Sequence, residues 1–236
     1  MFDARYLRRD RPLGCRVIPV TRVRQNCSLI WCRATIAGAL VDPGGDLDLL
    51  LEAVAEEGVR VERLLITHGH PDHAGGAADL AALLGVPIEG PHRDERPLIE
   101  RIDVLAKDHN FPGCKSFTPS RWLADGDLIQ VGNQRLVALH CPGHTDGHIA
   151  YFSGESRLTL VGDILFRGAV GYTRTPENYL ELLRSIRCKL FPLGDDVVFI
   201  PGHERLSTFG EERLLNPSVS DLAAEEYQHL FAEPSV

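Results

Sequence analysis

The chain has 236 residues, 44% hydrophobic and 25% charged, an ordinary globular balance at a length that can bury a large core as one domain. Its formal net charge of −8 argues against a nucleic-acid substrate, and no apolar run approaches the ~18 residues that would make the membrane a partner. Six cysteines, at 15, 27, 32, 114, 141 and 188, form no C-x-x-C pair and no disulfide-scaffold density, so reduced thiols in a cytoplasm are expected.

Residues 1–14 hold an Arg cluster diluted by Asp3 and Asp10 and lack the apolar core of a signal peptide; they read as a flexible N-terminal extension to a single domain over 15–236. Strands are expected near 16–20, 28–32, 36–41, 62–66, 128–131, 134–139, 148–152, 157–161 and 196–200, and helices near 46–57, 73–84, 94–107, 176–189 and 219–230. Strands and helices alternate with the strands in two groups, an α/β pattern. Residues 108–121, with two prolines and Gly113, are the least regular stretch and read as a surface loop or a cover over a site mouth.

Between the fourth strand and the second helix stands Thr67-His68-Gly69-His70-Pro71-Asp72-His73, which places four metal-binding side chains within six residues. A loop on a rigid scaffold lets imidazoles and a carboxylate converge from several directions, which one continuous helix does not. Neutral imidazole with carboxylate oxygen suits Zn2+ and its neighbours. Four polar residues on a surface loop can also arise by chance. The same arrangement then recurs: His144 follows the strand ending at His140-Cys141-Pro142-Gly143, Asp163 follows Leu158–Gly162, and His203 follows Val197–Gly202. A buried strand that stops at Gly or Pro and is followed by a ligand, repeated in this way, is not what scattered solvated residues give.

The order HGHPDH, CPGHT, GD and PGHE resembles the metallo-β-lactamase superfamily. Residues 18–21, 25–32, 39–46, 207–210 and 216–217 resemble its glyoxalase II-like branch, the short bacterial single-domain hydroxyacylglutathione hydrolase type. The resemblance implies a four-layer αββα sandwich with a metal site at one edge between two mixed sheets. It implies two divalent metal ions, zinc first and iron or manganese as alternatives: His68, His70 and His144 on one, Asp72, His73 and His203 on the other, and Asp163 bridging. Asp72 and Asp163 would then be catalytic, attack would come from a metal-bridging hydroxide, and the substrate would be a small-molecule thioester such as S-lactoylglutathione or another acyl thiol. Asp42 matches a position that supports the metal loops, and His148 is expected to orient a ligand loop as a hydrogen-bond donor.

Substrate contacts are expected from Arg167, Tyr172 and Arg174. Here the chain departs from its relatives, which usually carry a basic residue at the position of Tyr172 and often Asp at that of Arg174. A mononuclear iron persulfide dioxygenase of the same superfamily usually shows Gly-Arg-Thr-Asp where this chain has Gly171-Tyr172-Thr173-Arg174, which argues against that activity. A non-catalytic metal-binding relative is the other alternative, and the complete ligand set argues against it. Cys141, three residues before His144, reads as a packed residue rather than a nucleophile. His92, His109, His140 and His229 lack partner spacing and read as structural or exposed. Oligomeric state is not encoded in any of these patterns.

Overall fold

The computed structural model describes residues 10–108 and 110–224. In chain order the elements are β1 (Leu13–Val20), β2 (Gln25–Cys32), β3 (Ala37–Val41), α1 (Leu47–Glu57), β4 (Arg60–Leu65), α2 (Pro71–Ala74), α3 (Ala77–Leu84), β5 (Ile88–Glu89), α4 (Arg96–Ile99) and α5 (Ile102–Asp108). Then follow β6 (Leu128–Val131), β7 (Gln134–His140), β8 (Ile149–Ser153), β9 (Leu158–Gly162), β10 (Leu165–Phe166), β11 (Ala169–Val170), α6 (Pro176–Ser185), β12 (Val198–Pro201), β13 (Ser207–Thr208) and α7 (Phe209–Leu215).

One sheet has the order β1-β2-β3-β4-β5, the other β13-β12-β9-β8-β7-β6, and β10 pairs with β11 as a separate hairpin. Both large sheets mix parallel and antiparallel pairs. Strand alternation explains the layering, because successive side chains leave a strand on opposite faces. Leu29, Leu40 and Leu64 face the helical layer of α1 and α3, where Leu50 and Leu80 meet them. Their neighbours Ile30, Ala39 and Leu65 face the second sheet, where Ala138, Tyr151 and Leu160 meet them. On the far side of that sheet Ala150, Val161 and Phe199 pack on Leu182, Leu183 and Phe209 of α6 and α7. Three apolar interfaces between four layers make the αββα sandwich.

Strand direction gathers the site. β3 and β4 run parallel, as do β9 and β12, and β7 shares the direction of β9 through antiparallel β8. The C-terminal ends of β3, β4, β7, β9 and β12 therefore open along one edge. Backbone bonds lock the two sheets together there: Ile149 N donates to Thr67 O at 2.8 Å, and Asn26 N to Gly202 O at 2.7 Å.

Several boundaries differ from expectation. Leu13 and Gly14 belong to β1, paired with Cys32 and Trp31, so the domain expected over 15–236 includes them; residues 1–9 lie outside the described residues. The helix expected over 73–84 is two, broken at Gly75-Gly76 where Gly76 N donates to Pro43 O at 3.0 Å. The helix over 94–107 is broken between Ile99 and Ile102. The last turns of the 176–189 helix are a π-helix, Ile186–Leu190. Of the 219–230 helix, 221–224 is helical and the rest lies outside the described residues. The short strands β5, β10, β11 and β13, and α7, carry too few residues for a periodic signal. Among the described residues no helix is long and apolar enough to cross a membrane.

Candidate metal centre

The loop after β4 is shaped by Asp42, which sits just past β3 at φ 55° and is buried. Its Oδ1 accepts from Thr67 N at 2.7 Å and its Oδ2 from Thr67 Oγ1 at 2.6 Å, which fixes the residue before His68. His68 Nδ1 faces Thr67 Oγ1 at 3.0 Å, so His68 Nε2 points into the site and lies 2.9 Å from His70 Nδ1. From the β7–β8 loop, His144 Nε2 comes within 3.1 Å of the same His70 nitrogen, while His144 Nδ1 faces Tyr172 O at 2.7 Å. With its Nδ1–H donated to that carbonyl, His144 keeps Nε2 as a free lone pair. Nitrogens on a tetrahedral ion with bonds of about 2.1 Å stand roughly 3.4 Å apart, close to these separations.

A second set lies alongside. His73 Nδ1 is 2.9 Å from Asp42 Oδ2, which leaves His73 Nε2 facing Asp163 Oδ1 at 3.3 Å and Asp72 Oδ2 at 3.7 Å. His203 Nε2 stands 3.1 Å from Asp72 Oδ2 and 3.7 Å from Asp163 Oδ2. Asp163 Oδ2 is also 3.7 Å from His144 Nε2, so this one carboxylate faces both sets. His73 Nε2 and Asp163 Oδ1 are buried with no hydrogen-bond partner. Orphaned buried donors and acceptors are rare, and here they converge on a common point. The site fits two cations: ligand atoms of His68, His70, His144 and Asp163 lie within 4.8 Å of one another, as do those of Asp72, His73 and His203.

The electrostatics agree. Burial, then neighbouring imidazoles, push His68 well below the usual histidine range and His70 down to about 3. Burial also lowers His144. These are neutral imidazoles, the form that binds metal. Burial opposes the charge on His73 and His203, but at His73 Asp163 and Asp72 outweigh it, and at His203 the hydrogen bond to Asp72 and the charge of Asp163 do. Burial likewise opposes ionisation of Asp72 and Asp163, yet His73, with His203, holds both carboxyls below their usual range. The negative field that favours a proton on His73 equally favours a cation in its place. A Cβ at Gly202 would overlap Asp163 Oδ1 and the His73 ring, so only glycine lets β12 deliver His203 this close.

The seven expected ligands are thus brought together, and Asp42 supports two of them. His148 is buried and stacks on His68 with ring centroids 4.6 Å apart. Its ring nitrogen Nε2 accepts from Asp163 N at 3.1 Å, so it orients the ligand loop as an acceptor, not as the expected donor. Side chains of Arg167, Tyr172 and Arg174 are exposed, Tyr172 at 78%, and the contact this segment makes with the site is the Tyr172 carbonyl. Cys141 is fully buried against α6, and burial pushes its thiol up to about 12, as expected of a packed residue. The 108–121 stretch borders the site: a Cβ on Gly75, two residues past His73, would meet Cys114 Sγ.

Glu95 belongs to no motif in the sequence. It is fully buried, and its Oε2 accepts from Gly69 N at 2.7 Å while Oε1 accepts from Gly147 N at 2.8 Å. One carboxylate therefore ties the His68–His70 loop to the His144–His148 loop. His92 and His140 are not isolated either, since their rings stack at 4.0 Å beside Asp94. His109 and His229 lie outside the described residues.

The family model of the metallo-β-lactamase superfamily matches residues 20–203. The chain belongs to that superfamily. It is 39% identical over 207 residues to hydroxyacylglutathione hydrolase GloC of Haemophilus influenzae, covering 87% of this chain and 97% of that protein. The crystal structure of TTHA1623 in a di-iron-bound form is similar at TM-score 0.76 and 30% identity, covering 86% of this chain and 98% of that one. BLEG-1, a B3 metallo-β-lactamase, aligns at TM-score 0.79 with 24% identity over 87% of this chain and 99% of that one, a likeness of fold.

Proposed function

We propose that the chain is a binuclear metal-dependent hydrolase that cleaves a thioester, S-lactoylglutathione or another acyl thiol, in a reducing cytoplasm. The observation that carries this reading is the position of Asp163, whose two oxygens face His73, His144 and His203 at 3.3–3.7 Å. The similarity to GloC, named a hydroxyacylglutathione hydrolase, supports the substrate class, and the di-iron form of TTHA1623 supports two ions.

His68, His70 and His144 would hold one ion and Asp72, His73 and His203 the other, with Asp163 between them; zinc is the first expectation, and iron or manganese suit the same donors. Two ions held there supply Lewis acidity and a hydroxide at neutral pH. The chain's own contribution is orientation. Asp42 and the Tyr172 carbonyl take the Nδ1 protons of His73 and His144, so both rings present Nε2 inward. Asp72 and Asp163 bring the negative charge that offsets the cations and fix the line of attack on the substrate carbonyl. A thiolate leaves with less acid assistance than an amine, and no side-chain general acid is required. Arg167, on the β10–β11 hairpin, and Tyr172 and Arg174, on the segment after it, border the substrate along a run that passes from Phe166, beside His203, to Tyr172, beside His144, and on to Arg174.

Asp163→Ala tests this directly. Metal content should fall at both positions and thioester hydrolysis should vanish; full metal content in the variant would remove the bridging role.

A further inference from the structure

The inference rests on the hydrolase reading and concerns what the site grips besides the thioester. On the His203 side of the centre lies a cleft of about 510 Å³, lined by Val23 and Arg24 of the β1–β2 turn, by Asn26, and by His203, Glu204 and Arg205 past β12. That is the size of a small-molecule pocket, and it shares a side chain with the metal centre.

Two segments distant in sequence build the cleft, and both are held in strained backbone. Thr21 and Arg24 take φ 62° and 55°, and Glu204 takes φ 66°, the left-handed region that non-glycine residues occupy only when neighbouring contacts enforce it. Those contacts are present. Asn26 Nδ2 donates to Pro201 O at 2.9 Å and to Glu204 O at 3.1 Å, and Thr21 N donates to Asp46 Oδ2 at 2.7 Å. Arg22, from the same turn, is engaged elsewhere: it stacks over Phe111 with its guanidinium 4.8 Å from the ring centre.

Arg24 and Arg205 differ from it. Both are exposed on the cleft wall, and among the described residues neither guanidinium has a carboxylate at ion-pair distance. In a chain with 33 acidic and 25 basic residues, two arginines with no carboxylate partner among the described residues, beside His203, are a charge arrangement that a substrate can complete. The planar guanidinium fork matches a carboxylate in a way that an ammonium does not. Glu204, on the same wall, accepts an ammonium next to that carboxylate and disfavours a compact polyanion.

We propose that Arg24 and Arg205 bind a carboxylate of the substrate, so that the enzyme selects carboxylate-bearing acyl thiols over neutral ones. The test uses metal-loaded full-length protein with Arg24→Gln, Arg205→Gln and both together. Binding of two thioethers is measured by calorimetry: S-hexylglutathione, which carries carboxylates and an ammonium, and S-hexyl-N-acetylcysteamine, which is neutral. Each single substitution should weaken S-hexylglutathione about tenfold, the size of a charge-assisted hydrogen bond. The double variant should lose more and show a flatter salt dependence, while the neutral thioether should stay within about twofold.

Metal content and melting temperature should not move, since neither side chain is buried. Equal affinity for S-hexylglutathione in the variants, an equal loss on both thioethers, or no binding of either by the unaltered protein would overturn the assignment. S-lactoylglutathione hydrolysis in the same preparations separates the two readings. Arginine-dependent binding without turnover faults the hydrolase and leaves the cleft standing, whereas turnover with arginine-independent binding faults the cleft alone.

Discussion

Asp42 Oδ2 lies 2.9 Å from His73 Nδ1, and the same carboxylate holds Thr67 through its amide and its hydroxyl. One buried acid thus orients the ring of one expected ligand, His73, and holds the backbone that carries another, His68. Asp42→Ala should remove the shared acceptor of Thr67 N, Thr67 Oγ1 and His73 Nδ1 and cost about 3–5 kcal/mol in chemical denaturation. Metal affinity should fall about 10- to 100-fold, as for other outer partners of metal ligands. Asp42→Asn, which keeps one acceptor oxygen and tolerates φ 55°, should recover part of both losses. Unchanged metal affinity in Asp42→Ala would show that His73 does not depend on it.

Glu95 makes a comparable prediction without touching a ligand side chain. Glu95→Ala removes the acceptor for Gly69 N and Gly147 N and should destabilise the fold by about 2–5 kcal/mol. Hydrolysis should fall at least about tenfold through misplacement of His70 and His144, with some activity restored in Glu95→Gln. Stability measured by denaturation and rate measured under native conditions report the two effects separately.

The difference between Asp42 and Glu95 shows what can be read in the chain. His68, His70, Asp72 and His73 are legible because they are adjacent, and Asp163 and His203 because each follows a short apolar strand. Asp42 is legible through the resemblance. Glu95 ends a 3-10 turn, Arg93–Glu95, just before α4 and acts on residues 26 and 52 positions away, through backbone amides that leave no side-chain signature. The Tyr172 carbonyl is hidden for the same reason. The αββα layering follows from strand alternation and from the resemblance, while the break at Gly75-Gly76 depends on a distant Pro43 carbonyl that no local pattern contains.

Cys141 supplies a prediction about reactivity. Burial pushes the thiols of Cys141 and Cys15 up to about 12, so neither forms thiolate near neutral pH. Iodoacetamide on the native protein should modify exposed Cys188 and spare these two, read by peptide mass mapping. Cys141→Ala should keep hydrolysis within about twofold, with a stability loss of order 1 kcal/mol from the lost sulfur. Abolished hydrolysis with intact metal content would make the thiol a participant.

Tyr172 touches the site through its carbonyl, with its side chain 78% exposed. Tyr172→Ala should therefore leave metal content unchanged. Tyr172→Arg should raise kcat/KM for S-lactoylglutathione by up to about fivefold, the ceiling for an exposed ion pair. No gain would show that a charge at this position does not limit recognition.

That two metal ions serve thioester hydrolysis is tested by metal content per chain, measured with both activities in one preparation. Close to two ions per chain and cleavage of S-lactoylglutathione are expected, both lost on chelation and both restored by metal. A single iron per chain with oxygen uptake on glutathione persulfide and no thioester cleavage would contradict it.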